Sequence, residues 1–173
     1  MTRSPSHGLR VRRRYLHRPA LDPHGLYWQG YQWSDWYDFP DFLVANAYGN
    51  DDDGDTAKQA GIYRFAVPRR RGLVYIGQTS VLRRRLAGHA RAAKDAREST
   101  KRRLGFHHKL AAHFDQGGRI RVSWTALESL DKADRLGIEC DLIAAHRTIV
   151  GSNPTWQFLA IGGDDDVGQG AEG

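Results

Sequence analysis

From Ala60 onward the spacing of apolar residues changes segment by segment, and each spacing predicts an element. Ile62 to Val67 and Leu73 to Gly77 are rich in β-branched and aromatic residues, with the turn-like Pro68-Arg69-Arg70-Arg71-Gly72 between them, so the pair predicts a β-hairpin. Opposed residues of a hairpin share a face. Tyr63 and Tyr75 therefore project together if they pair with each other, which an odd-length turn or a bulge permits. Thr79-Ser80 offers a helix N-cap, and Leu82, Leu86, Ala90 and Ala93 follow at helical spacing. At about 100° per residue from Leu82, His89 falls at about −20° and Arg85 at about −60°, bordering the apolar stripe, while Arg84 at about −160° points to solvent.

Thr100 caps a second helix with Leu104, His107, Leu110, Ala111 and Phe114 on one face, ending at Gly117-Gly118. Ile120, Val122 and Trp124 alternate with Arg119, Arg121 and Ser123, as a half-buried strand requires. Asp131 caps a last helix running to about Ile149, with Leu136, Leu142 and Ile143 as its stripe and Gly137 weakening its early turns. Glu139 sits on that stripe, and an apolar surrounding disfavours its charged form unless a cation or a donor compensates. The order is β, β, α, α, β, α, an α+β pattern.

The first 60 residues show no such period. Arg10-Val11-Arg12-Arg13-Arg14 is basic, six aromatics fall between Tyr27 and Tyr37, and Asp51-Asp52-Asp53-Gly54-Asp55 reads as a solvated linker. The aromatics suit either stacking on unpaired bases or packing an irregular arm across the domain. The expected division is an arm and linker over 1–59, a domain over 60–161 and a disordered acidic tail over 162–173.

At 173 residues the chain suits one domain with an arm. Nothing resembles a signal peptide or a run of about 20 apolar residues, so a soluble, cytoplasmic setting without a membrane partner is expected. The lone Cys140 makes neither an intrachain disulfide nor a thiolate zinc site, and is expected to be a buried small hydrophobe. Net charge is +6, but its distribution is more informative: residues 61–121 hold 16 Lys and Arg against 3 Asp and Glu, whereas residues 122–173 hold 3 against 9. A polyanion is the partner this implies. Arg69, Arg70, Arg71, Arg83 and Arg84, with Arg12, Arg13 and Arg14 on the arm, are the candidate phosphate contacts, and Arg102 and Arg103 serve equally well as a solvated face. His107, His108 and His113 form no metal-ligand pattern, and no Ser/His/Asp or Cys/His nucleophile arrangement or phosphate-binding glycine loop is present.

Gly61-Ile62-Tyr63 and Val74-Tyr75-Ile76-Gly77, with Arg85 ten and His89 fourteen residues past Tyr75, resemble the signature of the GIY-YIG nuclease superfamily. The resemblance covers residues 61 to about 157. It implies a small three-stranded antiparallel sheet flanked by helices, and a metal-dependent DNA endonuclease acting through Tyr63, Tyr75, Arg85, His89 and Glu139. The implied roles are Tyr63 taking or relaying the proton of the attacking water with His89, and Tyr75 orienting the phosphate or its water. Arg85 would offset the developing phosphate charge, and Glu139 would hold a single Mg²⁺, or Mn²⁺, near the leaving oxygen. Whether Tyr63 or His89 is the base stays open, and a cationic neighbour is expected to lower the Tyr63 pKa. Glu128 is the other candidate for the family's acidic ligand, and either Asn153 or Gln157 could match its supporting carboxamide. The alternative function is a nucleic-acid-binding module on the same scaffold without catalysis. Oligomeric state is not legible.

Overall fold

The computed structural model describes residues 21–39, 59–98 and 105–157. Among them the architecture is mixed α+β, with two antiparallel sheets and three helices. From Gly61 the order is β4 (Gly61–Ala66), β5 (Tyr75–Thr79), α1 (Leu82–Glu98), α2 (Phe106–Asp115), β6 (Arg121–Ala126) and α3 (Lys132–Val150). Three short strands precede these: β1 (Tyr27–Trp28), β2 (Tyr31–Gln32) and β3 (Tyr37–Asp38).

Those early strands correct two expectations. The aromatic stretch is not irregular, because β1 and β2 pair as a hairpin and β3 joins the main sheet; that sheet therefore has four strands in the order β3-β6-β4-β5 rather than three. The added edge is held by Ser34 N–H donating to the Trp124 carbonyl at 2.8 Å, by Phe39 N–H donating to the Ile120 carbonyl at 2.9 Å, and by an Asp38–Arg119 ion pair. Arg12, Arg13, Arg14, the acidic linker, Arg102, Arg103 and the tail lie outside the described residues, as does Thr100; α2 begins at Phe106 with Gly105 as its N-cap.

Central strand β4 is buried along its whole length, so its alternation divides two cores. Tyr63 and Phe65 face Leu82, Leu86, Phe106 and Leu110 of α1 and α2. Ile62 and Ala66 face Leu73, Ile76, Leu142 of α3, and Trp28 and Trp33 of the early hairpin. The aromatic stretch is thus packed onto the domain. Its anchor is Arg64, which shares the second face and is 0% exposed. The Arg64 guanidinium donates to the Pro23 and Gly25 carbonyls and to Ser123 Oγ, and lies 4.1 Å from the Trp33 ring and 4.7 Å from that of Trp36.

Asp131 caps α3 by accepting from Asp134 N–H at 2.8 Å, and Gly151 closes it with φ 91°. The stripe on this helix differs from the expected one: Leu136 is 48% exposed, and Arg135, Leu142 and His146 are the buried positions. Cys140 is exposed rather than buried. His146 links α3 to the hairpin. Its Nε2 accepts from Leu73 N–H at 2.9 Å and its Nδ1 donates to the Ser152 carbonyl at 2.8 Å, which fixes a neutral ring. No helix among the described residues is long and apolar enough to cross a membrane.

Candidate active site

The hairpin register sets the floor of the site. Tyr63 pairs with Gly77 and Phe65 with Tyr75, so the condition of direct pairing is not met; the two tyrosines are diagonal neighbours on one face, with ring centroids 6.1 Å apart. Gly77 is what lets the Tyr63 ring lie across the strand. A Cβ there would stand 2.5 Å from the Tyr63 hydroxyl and 2.8 Å from the Tyr75 ring. Since Tyr63 is fully enclosed and cannot swing away, Gly77→Ala is expected to lower stability by about 1–3 kcal/mol, as overpacking does, and to displace the Tyr63 hydroxyl. Thermal melting checks this; an unchanged midpoint contradicts it.

Helix α1 brings two groups onto this floor. Arg85 Nε–H donates to the Tyr63 hydroxyl at 3.3 Å, while the residue as a whole remains exposed. His89, 2% exposed, places Nε2 at 2.7 Å from the same hydroxyl. The Tyr63 hydroxyl thus lies between Arg85 Nε–H, which donates to it, and His89 Nε2, and the ring tautomer sets the direction of the second bond. His89 Nδ1 lies 2.9 Å from His107 Nε2 on α2, so the ring is hydrogen-bonded at both nitrogens. The edges and faces of Phe65, Tyr75 and Phe106 complete the enclosure, with centroids 5.0–6.0 Å from that of His89. Arg84, one residue before Arg85, is exposed.

Glu139 reaches the site from α3 at the β5 edge. It is half-buried, forms a hydrogen bond with the Gln78 backbone, and feels the charge of Arg85. Glu128 lies exposed in the turn after β6. Among the described residues no three His, Cys, Asp or Glu side chains gather as a metal centre. A lone carboxylate with no His or Cys cluster around it among the described residues fits a hard cation such as Mg²⁺ or Mn²⁺, which takes its remaining ligands from water and phosphate, and does not fit zinc. Gln157 is engaged elsewhere: its Oε1 accepts from Ile76 N–H at 2.9 Å and ties the segment after α3 to the edge of β5. Asn153 Oδ1 is buried without a hydrogen-bond partner. Arg69, Arg70 and Arg71 stand exposed at the hairpin turn, and Arg83 is half-buried.

Burial dominates the electrostatics. It raises the Tyr63 phenol; Tyr75 adds to the rise, and Arg85 pulls the other way without overcoming it, so the expected lowering does not result. Tyr63 is a phenol here. Tyr75 is raised too, by burial and then by Glu139. Burial, then the charges of Arg85 and His107, push His89 down to about 3. His107, His146 and His24 are lowered for the same first reason. A histidine lowered by folding takes up its proton more readily unfolded, so its stabilisation is present above the unfolded value near 6.5 and is lost as pH falls toward the folded one. Between those limits His89 alone changes stability by about 1.4 kcal/mol per pH unit. Glu139, raised by burial, has the opposite sign, but one carboxyl stands against four rings. The melting temperature is therefore expected to fall from pH 7.5 to pH 5.0, and an equal or higher value at pH 5.0 contradicts the buried neutral histidines.

His107 and Gly77 were not singled out by their chemistry in the sequence. The signal for His107 was its place on the inward face of α2; the signal for Gly77 was its position opposite a residue that needs space. Comparisons with protein-family models, with curated proteins and with solved structures gave no match for this chain.

Proposed function

We propose that the chain is a metal-dependent DNA endonuclease of GIY-YIG type, with Tyr75, Arg85 and Glu139 facing the substrate and Tyr63 and His89 behind them. The observation that carries this reading is the state of Arg85. Its Nε is held on a buried tyrosine, the residue stays open to solvent, and Glu139 and Tyr75 are close enough to act on its charge and that of the tyrosines. A guanidinium anchored on one side is oriented to place its remaining N–H groups against a phosphodiester, where negative charge grows during hydrolysis. Tyr75 orients the phosphate or the attacking water.

Tyr63 starts as a phenol and donates to His89, so a proton arriving on its oxygen from the water is matched by its own proton passing to His89 Nε2; with its pKa at about 3, His89 relays a proton onward through Nδ1 to His107 and does not keep it. Base and relay are then the two ends of one hydrogen bond. Glu139 would hold Mg²⁺ or Mn²⁺, which when bound supplies positive charge near the leaving oxygen. The basic residues of 61–121, with Arg69, Arg70, Arg71, Arg83 and Arg84 among them, supply the affinity for the DNA backbone.

A second reading, a DNA-binding module without catalysis, draws on the complete burial of Tyr63, which keeps its hydroxyl from solvent. Supercoiled plasmid incubated with the protein in Mg²⁺ and in chelator separates the two. The endonuclease reading expects nicked or linear product in Mg²⁺ alone. Retarded but uncut plasmid leaves the binding module, and neither cutting nor retardation rejects both.

A further inference from the structure

We propose that His107 is a positioning residue for the Tyr63–Arg85 pair, acting by fixing which nitrogen of His89 carries the proton. The proposal rests on the hydrolytic reading of the site for its effect on rate, but its structural content is independent of that reading. Three elements contribute one group each to a continuous line: Tyr63 from β4, His89 from α1 and His107 from α2. At one end the Tyr63 oxygen accepts the Arg85 Nε–H. At the other, His107 is half-buried and reaches toward solvent.

In the proposed arrangement Tyr63 donates to His89 Nε2 and His89 Nδ1–H donates to His107 Nε2 at 2.9 Å, which makes His107 the acceptor that holds the ring in this tautomer. Remove that acceptor and the Nδ1–H stands in an aromatic enclosure with nothing to receive it, in a ring only 2% exposed. The ring then gains by moving its hydrogen to Nε2, which aims a second donor at the Tyr63 oxygen. The Tyr63 oxygen would then take donors from both Arg85 and His89, and its own proton would have to turn away from His89, reorienting the hydroxyl against the guanidinium. The guanidinium would lose the anchor that orients it, although neither α1 nor β4 had been altered.

The test uses the full chain labelled with ¹⁵N-histidine, reading the His89 tautomer from long-range ¹H–¹⁵N correlations and, in parallel, single-turnover plasmid cleavage in Mg²⁺. Wild type should show His89 protonated on Nδ1. His107→Leu should lose that single tautomer and cut about 10- to 100-fold more slowly at saturating DNA, the range typical of partners that orient a functional histidine. His107→Gln, whose amide oxygen can stand where Nε2 stood, should restore both readouts. If His107→Leu fails to fold, His107→Asn, too short to reach Nδ1, takes its place. His89 protonated on Nε2 in wild type overturns the proposal. So does a His107→Leu protein with wild-type tautomer and rate. If wild type does not cut plasmid at all, the hydrolytic reading fails, and the tautomer shift alone decides whether His107 sets the ring.

Discussion

Arg85→Ala is expected to slow DNA cleavage at saturating substrate by about 10²-fold or more, the loss seen when a group acting on transition-state charge is removed. The adjacent Arg84→Ala should stay within about two- to threefold of wild type, as surface substitutions do. The two residues carry the same charge one position apart, so bulk attraction for DNA is reduced equally in both. What separates them is geometry: Arg85 Nε–H is bonded to the Tyr63 hydroxyl, and Arg84 is exposed on the far side of the turn. Tyr63 and Tyr75 also act back on Arg85, outweighing the burial that disfavours its charge and raising its pKa. Single-turnover rates give the comparison. Similar rates for the two variants would contradict the placement of Arg85 at the reacting phosphate.

Arg64→Met is expected to cost about 3 kcal/mol or more, since hydrogen bonds to a charged group contribute about 1.5–3 kcal/mol each and buried carbonyls left without donors add to the loss. For a chain of this size that is a fall of about 6–12 °C in melting temperature. Arg64 is fully enclosed, and burial pushes its pKa down to about 9 against the pull of Asp22, which with the carbonyls and ring faces stands in for its water and keeps it charged at neutral pH. Methionine keeps the stem and loses every donor to Pro23, Gly25 and Ser123. Arg64→Lys should recover little, because one ammonium cannot reproduce a planar fork shared between two carbonyls and a hydroxyl. The change should be visible in tryptophan emission as Trp28, Trp33 and Trp36 loosen. An unchanged midpoint with unchanged emission would mean that the early hairpin is held by its apolar contacts alone.

Period and parity made part of the site legible beforehand. Direct pairing of Tyr63 with Tyr75 is the condition under which the sequence puts them on one face; the register offsets them by two residues instead, and that even offset keeps both side chains on the same face. Arg85 and His89 were separated from Arg84 by the helical wheel. Glu139 was found from a stripe whose first member, Leu136, turned out exposed, because α3 packs beside β5 through Leu142 and His146 instead. The strands of the N-terminal stretch were not legible, since two-residue strands are too short to show a period. Arg64 gave a signal that went unused: a charged residue at a core position of a strand, in a chain with a tryptophan-rich segment able to enclose it. The contact between His89 and His107 depends on how α1 meets α2, which no local pattern encodes.

If phosphodiester hydrolysis takes place at the Arg85–Glu139 surface, Glu139→Gln should abolish it. The amide keeps the size and the hydrogen-bonding reach of the side chain and removes its charge. Plasmid cleavage in Mg²⁺ and gel retardation in chelator are measured on the same preparations of wild type, Glu139→Gln and Glu128→Gln. Glu139→Gln is expected to bind DNA as wild type does and not to cut it, while the Glu128→Gln protein, altered at an exposed turn, should cut normally. Equal cleavage by Glu139→Gln and wild type, or loss of cleavage in Glu128→Gln instead, would contradict hydrolysis at that surface.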